Sequence, residues 1–238
     1  MKLKNVIKCH MAYLLSKSTI TIIVLIICLL LAIYMSNAIV VDYGGYRENV
    51  EVYYSSCVSL TKMIYTTLSC FMMASFFSIK NDAYLSLLIV AGIDKKSFII
   101  TKLIALVYSL LVIVLILFLL YLLNGFIFIR GFVFERRYMK AFLSFFLIGL
   151  AYGFLSVLLT IIFHNLFTFL LPSILAILTD ALIQGASSSF KNIMFFLFPV
   201  LNGSKTKPYH GYMMHFVLLL VLVIADILIY IKSDYHLE

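Results

Sequence analysis

The chain has 238 residues, of which 64% are hydrophobic and 12% are charged, and its mean hydropathy is +1.13. Soluble domains are about 45–50% apolar and about 25% charged, so this composition excludes a water-soluble fold, and the long unbroken apolar runs exclude the alternating strands of a membrane β-barrel. The formal net charge of +8 comes from basic residues scattered over short polar segments without a nucleic-acid-binding motif, which predicts contacts with lipid headgroups and excludes nucleic acid as a partner.

The N-terminal segment predicts a short amphipathic helix followed by a spanning helix. Lysines are interspersed with apolar residues, and Val6, His10 and Leu14 recur at helical spacing. We expect residues 1–17 to lie on the cytoplasmic surface of the membrane. A signal peptide is the alternative, but the next apolar run is longer than a signal core and ends without a clear cleavage site. Residues 19–40 are therefore predicted to span the membrane.

Further apolar runs approach the length of about 20 residues that a spanning helix needs. The tyrosine-rich stretch 42–57 separates the first two and is predicted to be an interfacial loop. The chain is therefore predicted to be an all-α polytopic membrane protein with a single transmembrane domain, residues 1–238. The six predicted spans are about 19–40, 58–79, 98–123, 141–163, 166–184 and 212–231.

A short apolar segment lies between the second and third predicted spans. It includes the sequence AYLSLLIVA, which is too short to cross a bilayer. Asp82 and Gly92 are of the residue types that begin and end a short helix, and Asp94 can cap the helix that follows. We expect this segment to lie at the cytoplasmic interface or to pack against a partner protein.

The fourth and fifth spans are predicted from one long uncharged stretch. No Asp, Glu, Lys or Arg occurs between Ala141 and Thr179, a length near twice one span of about 20 residues. The pair His164–Asn165 is the natural break between two helices. Pro172 then falls inside the fifth span, where neighbouring helices can satisfy the freed backbone groups.

The last outer segment and the charge distribution bear on topology. Residues 190–200 are apolar but too short to span, which predicts a re-entrant or interfacial helix. The basic N-terminus predicts that both termini are cytoplasmic in a cell-membrane protein. The basic residues Arg136, Arg137 and Lys140 then face outward, against the positive-inside rule, so charge alone leaves the topology open.

The sequence offers no familiar catalytic motif. Nucleotide-binding loops, zinc-protease motifs and nucleophile elbows are absent, and the four cysteines lack metal-ligand spacing, so no catalytic residue, metal site or cofactor is predicted on this chain. Asp180 and Asp226 are acidic residues within predicted spans. They either line a polar pathway or bind a proton, or they are interfacial or interhelical hydrogen-bonding residues, and the presence of only two isolated acids favours the second interpretation.

Three stretches carry a resemblance to a known family. They are NDAYLSLLIVAGIDKKSFIITKL at 81–103, GLAYGFLSVLLTIIFHNLFTFLLPSILAIL at 149–178 and MFFLFPVLNG at 194–203. These are similar to the cytoplasmic segment between spans two and three, the tightly turned spans four and five, and the outer re-entrant helices of ABC-2 type transporter permeases. With the amphipathic N-terminal helix, the order resembles a small bacterial permease for export of, or immunity to, peptides. Where the family often has an acid ahead of the cytoplasmic segment, only Asp82 stands here.

The resemblance implies a transport subunit that is not itself an enzyme. ATP and Mg²⁺ would bind a separate ABC ATPase, and the permease would pair with a second copy of itself or with a homologous permease. The cytoplasmic segment would be a coupling helix that docks on the ATPase. The ATPase-coupling residues that it implies are Asp82, Tyr84, Leu85, Leu87, Leu88, Gly92, Asp94, Lys95 and Lys96.

The cargo and two other functions remain open at this point. The resemblance implies an amphipathic or hydrophobic cargo, with a membrane-active peptide favoured, that moves along a dimer interface lined by spans one, two and five. A non-transporting membrane partner, such as a sensor or immunity subunit, fits the same sequence. An intramembrane enzyme is the third possibility, although the sequence shows no catalytic pair.

Overall fold

A computed structural model describes residues 3–14, 17–40, 46–78, 94–185 and 208–232, and all regular structure within these ranges is helical. A 3₁₀ turn, Leu166–Phe169, directly precedes the sixth α-helix. The α-helices, numbered in chain order, are α1 Leu3–Leu14, α2 Lys17–Val40, α3 Tyr46–Phe76, α4 Lys95–Phe128, α5 Arg136–Phe163, α6 Leu170–Gly185 and α7 Pro208–Lys232.

Five of the described helices are long and apolar enough to cross a membrane, which makes this chain an α-helical polytopic membrane protein. The sixth predicted span, 166–184, corresponds to the 3₁₀ turn and α6, which together run from Leu166 to Gly185, and the prediction of six spans stays a prediction. The apolar part of this segment within the searched residues, Leu166–Leu178, is shorter than a full crossing. The five candidate spans are Ile20–Asn37, Asn49–Phe76, Lys95–Phe128, Arg136–Phe163 and His215–Lys232.

Two helix boundaries that the sequence predicted are confirmed, and both follow from local chemistry. The Asp94 carboxylate accepts a hydrogen bond from the Ser97 backbone N–H at 3.1 Å, which caps the start of α4. At the predicted break, α5 ends where His164 adopts a left-handed conformation with φ of 52°. The Asn165 side chain then accepts from the Phe167 N–H at 3.0 Å and begins the 3₁₀ turn.

The prediction of a loop at 42–57 is wrong from Tyr46 onward, because α3 begins there. Val50, Tyr53 and Cys57 recur at helical spacing and face the protein, while the intervening polar residues face outward. The polar composition of this stretch had favoured a loop over an amphipathic helix. The helix therefore continues well beyond the apolar part of the sequence from which the span was predicted.

Pro172 has a simpler explanation than the one its sequence position suggested. It lies in the first turn of α6, immediately after the 3₁₀ turn, where a missing N–H removes no interior helical hydrogen bond. The predicted coupling helix, 81–93, and the predicted outer re-entrant or interfacial helix, 190–200, lie outside the described residues.

Helix α5 lies at the centre of the bundle and packs against α3, α4, α6 and α7, while α1 and α2 pack against α4. Two glycines of α5 one turn apart, Gly149 and Gly153, face α3. The Ser69 hydroxyl of α3 donates to the Gly149 carbonyl at 2.7 Å. Small residues let two backbones approach closely in lipid, where packing replaces the hydrophobic effect between helices.

The end of the bundle near the α4–α5 connection is held by aromatic rings and one ion-pair network. Tyr53 stacks on Tyr121 with ring centroids 5.1 Å apart, and its hydroxyl donates to the Tyr121 carbonyl at 3.0 Å. The Arg137 guanidinium pairs with Glu51 at 2.6 Å and with Glu135 at 2.7 Å. These contacts join the extended start of α3 to the start of α5.

Candidate functional site

The structure describes three of the residues predicted to couple to an ATPase. Asp94 is exposed, and its hydrogen bonds with Ser97 hold the pKa of the carboxyl group below its ordinary value. Lys95 and Lys96 occupy the first turn of α4, with Lys95 half-buried and Lys96 exposed. The other predicted coupling residues, from Asp82 to Gly92, lie outside the described residues.

A fully buried lysine lies two turns further along α4. The Lys102 ammonium nitrogen is 4.4 Å from the ring centroid of Phe77, 5.0 Å from Phe76 and 5.4 Å from Phe98. Aromatic faces carry partial negative charge and attract a cation within about 6 Å. Three rings from the end of α3 and the start of α4 therefore surround this charge.

The amphipathic helix α1 joins the same cluster through His10. Its Nε2 lies 3.1 Å from the Thr101 hydroxyl, and its ring packs edge-on against Phe98 at 4.9 Å and Phe76 at 6.0 Å. The Thr101 hydroxyl also lies within hydrogen-bond distance of the Ser97 and Phe98 carbonyls of its own helix, and the tautomer of His10 decides which group donates between His10 and Thr101. The apolar face predicted for α1 is thus covered by α4.

The end of α7 completes the cluster. The Tyr230 ring stacks on Phe98 at 6.4 Å and meets Phe77 edge-on at 5.8 Å. Lys95 lies 5.8 Å from the Tyr230 ring and donates to the Ile231 carbonyl at 3.3 Å. We call this cluster the lysine junction and define it as His10, Phe76, Phe77, Phe98, Lys102 and Tyr230.

The lysine junction fixes both ends of the segment that the sequence singled out. Phe77 lies two residues before residues 79–93 and Phe98 lies five residues after them, and both rings belong to one packed cluster. Four helices, α1, α3, α4 and α7, meet there. A force applied to the intervening segment would therefore reach four helices at once.

Docking of α1 is expected to weaken as the pH falls. Burial, and secondly the Lys102 ammonium, lower the pKa of His10 from its ordinary value of 6.5 to about 4. At a pH between 6.5 and about 4, a released His10 binds a proton whereas a docked His10 does not. Acidification over this pH range therefore favours release of α1. Replacing His10 by glutamine, which keeps a donor but does not titrate, should abolish this pH dependence.

A spin label on α1 measures this release. Cys9 is exposed on α1, and the label can be directed to it after replacement of Cys28, Cys57 and Cys70 by alanine. Label mobility should rise between about pH 6.5 and about pH 4 and stay constant in the His10→Gln variant. Equal pH profiles in the two proteins would contradict the docking of α1 through His10.

An apolar groove opens on the side of the bundle, between α2, α3 and the 3₁₀ turn. Its volume is about 390 Å³, and Phe71 meets Phe169 edge-on within its wall, with ring centroids 5.3 Å apart. The Thr67 hydroxyl donates to the Met63 carbonyl at 3.0 Å, so it is satisfied within its own helix. The lining residues are Ile22, Ile26, Met63, Ile64, Thr67, Leu68, Phe71 and Phe169.

No family model and no curated protein matches this sequence. The lysine junction, the apolar groove and the buried polar groups are the features of the described residues that bear on function. No group of three or more metal-ligating side chains occurs among the residues that the structure describes.

The two acids predicted within spans differ in what the structure describes. Asp180 lies in α6, but its side chain is not among those described. Asp226 lies in α7 and is fully buried, and neither carboxyl oxygen has a hydrogen-bond partner among the described residues. No interhelical hydrogen bond at Asp226 is therefore seen among the described residues, and its role stays a prediction.

Sequence reasoning identified Lys102 as part of the family resemblance but missed its burial. A lysine near a span end is expected to extend its ammonium towards the headgroups, whereas the rings of Phe76, Phe77 and Phe98 face the ammonium of Lys102 inside the protein. The placement of His10 at helical spacing with Val6 was a usable signal. That α4 would cover this face could not be predicted from α1 alone.

Proposed function

We propose that this chain is the membrane-spanning permease subunit of an ATP-driven exporter of the ABC-2 type. ATP hydrolysis would take place on a separate ATPase chain, and the cargo would be an amphipathic or hydrophobic molecule, with a membrane-active peptide as the favoured class. The observation that carries the proposal is the lysine junction. It anchors both ends of residues 79–93, the segment in which the resemblance places the ATPase contact.

Coupling to an ATPase needs a short docking element on a rigid base. Residues 83–91 are apolar and too short to span, and an apolar helix of this kind gains most by lying in a groove of a partner protein. Movement of the partner is transmitted only if the flanking helices respond as rigid bodies. The contacts of Lys102, Phe98 and Tyr230 supply such a base.

The apolar groove supports the cargo part of the proposal. It is lined by α2, α3 and the 3₁₀ turn, the segments that correspond to spans one, two and five of the resemblance. The only polar side chain in its described lining, Thr67, is hydrogen-bonded within its own helix. Such a wall suits an apolar chain or the apolar side chains of a peptide. In a dimer, two such grooves would face each other along the proposed path of the cargo.

Charges within the apolar segment should disrupt ATPase binding. We expect the double variant Leu87→Asp and Leu88→Asp to insert into the membrane normally but to lose the ATPase on purification, because a docked apolar face cannot accommodate two carboxylates. The measurement is co-purification from native membranes in mild detergent with an assay of ATP hydrolysis. Val133→Asp is the matched control, since Val133 is 66% exposed in the α4–α5 connection.

The outcomes separate the candidate functions. Loss of the ATPase in the double variant but not in Val133→Asp supports the permease. An ATPase that binds wild-type protein without any movement of cargo in vesicles favours a sensor or immunity subunit. Recovery of the wild-type chain alone, across several detergents, contradicts the proposal and directs attention to an intramembrane enzyme.

A further inference from the structure

Asp226 is a fully buried carboxyl group in the packed face of α7. It lies on the same face as Leu219 and Tyr230, which are also buried, and this face packs against α5 and α4. Neither carboxyl oxygen has a hydrogen-bond partner within the described ranges, and no ion pair joins Asp226 to a described residue. The described residues therefore supply Asp226 with neither a hydrogen-bond donor nor a counter-ion.

The ionisable groups on the packed elements have contacts of their own. On α4, the Lys102 ammonium lies among three phenylalanine rings and Lys95 bonds to the Ile231 carbonyl. On α7, His215 bonds to the Leu147 carbonyl at 2.9 Å, and Tyr230 packs into the lysine junction. From residue 141 to residue 163, α5 contains no acidic or basic residue.

A carboxylate anion in this position would lack both water and a counter-ion. Burial of an unpaired charge is far more costly than burial of a neutral acid, so an isolated buried carboxyl takes up a proton. We propose that Asp226 is a proton-binding site of the membrane domain, which holds its proton while α7 packs against α5 and α4. The proton passes to solvent water only when this packing opens.

The position of Asp226 gives this proton a mechanical consequence. Asp226 lies one helical turn before Tyr230, whose ring belongs to the lysine junction. Opening of the packing at α7 therefore loosens the junction at the same end of the helix. Because the packed state holds a proton that the opened state releases, a rise in pH favours opening. This inference does not depend on the proposed transport function.

A hydrophobic carbodiimide tests the proposal on the full chain in membranes. Dicyclohexylcarbodiimide takes the proton of a neutral carboxyl group, the carboxylate oxygen adds to its central carbon, and the product rearranges to a stable N-acylurea. Mass spectrometry should locate this adduct at Asp226, and a water-soluble carbodiimide should instead modify the exposed Asp94. Modification of Asp226 by the water-soluble reagent would overturn the proposal, since it requires an accessible carboxyl group.

Infrared spectroscopy tests the protonation of Asp226 directly, including when the carbodiimide does not reach it. A carbonyl band of a protonated carboxyl group should be present in the wild type, absent in Asp226→Asn and retained in Asp94→Asn. Absence of both the adduct and the band would overturn the proposal. If Asp226→Asn does not fold, the location of the adduct in the wild type decides alone.

The pH dependence of stability tests the link to packing. In detergent, the melting temperature of the wild type should fall more steeply with rising pH than that of Asp226→Asn, whose amide is neutral at every pH. Asp94→Asn should follow the wild type. Identical profiles in wild type and Asp226→Asn would show that the packed state does not hold the proton.

Discussion

Replacement of Gly149 by valine is expected to cause one of the two largest losses of stability in this protein, about 3 kcal/mol, the upper part of the range for overpacking a well-packed core. A Cβ atom at this position would lie 2.6 Å from Cε1 of Tyr65, closer than real Cβ contacts come. The loss should appear as a lower melting temperature of the detergent-solubilised chain, measured by size-exclusion chromatography after heating.

The expected size of the effect depends on how firmly Tyr65 is held. Its side chain is fully buried, and its hydroxyl donates to the Leu110 carbonyl of α4 at 3.1 Å. Ser69 of α3 also donates to the Gly149 carbonyl. The Tyr65 ring therefore cannot turn away from a new side chain at position 149 without breaking its buried hydrogen bond to Leu110, which costs about 1–3 kcal/mol.

A matched pair of alanine variants shows whether the stability loss depends on the rigidity of the neighbouring side chain or on its distance from the new Cβ atom. At Gly153 a Cβ atom would clash with the Met73 sulfur, yet a thioether can move aside. We therefore expect Gly153→Ala to be nearly neutral and Gly149→Ala to be destabilising, although the first contact is the shorter. The reverse order, or equal stability of Gly149→Val and the lipid-facing control Leu143→Val, would contradict the described packing of α3 on α5.

Local signals in the sequence were sufficient for the ends of several helices. The Asp94 cap and the break at His164–Asn165 depend on side chains that bond within two or three residues, so no knowledge of the rest of the fold was needed. Span positions were predictable for the same reason, because the length of an apolar run is a local property.

Features that depend on a partner helix could not be predicted. The start of α3 at Tyr46 is stabilised by packing of Tyr53 on Tyr121 and by the pairing of Glu51 with Arg137, which connect residues far apart in the sequence. Propensity alone favoured a loop there, and tertiary contacts override it. The burial of Asp226 belongs to the same class, since hydropathy indicates a span but not which neighbour covers a given face.

Replacement of Lys102 by glutamate is the second change with a large expected effect. The carboxylate would face the rings of Phe76, Phe77 and Phe98, whose partial negative charge repels an anion, and a buried charge without a suitable partner costs about 3–5 kcal/mol. The lysine junction should open, so that the spin label on α1 becomes mobile and the melting temperature falls.

Two companion variants of Lys102→Glu distinguish charge from packing. Lys140→Glu makes the same charge change at an exposed position at the start of α5 and should leave stability within about 0.5 kcal/mol of the wild type. Lys102→Met keeps the apolar stem and removes both the cation–π attraction and the cost of burying the ammonium, so it should change stability much less than Lys102→Glu does. Under the proposed function, Lys102→Met should also weaken ATP-driven transport more than ATPase binding, because the docking segment remains while its rigid base is loosened. If Lys102→Glu is as stable as Lys140→Glu, the ammonium is not enclosed by the three rings, and the junction cannot serve as that base.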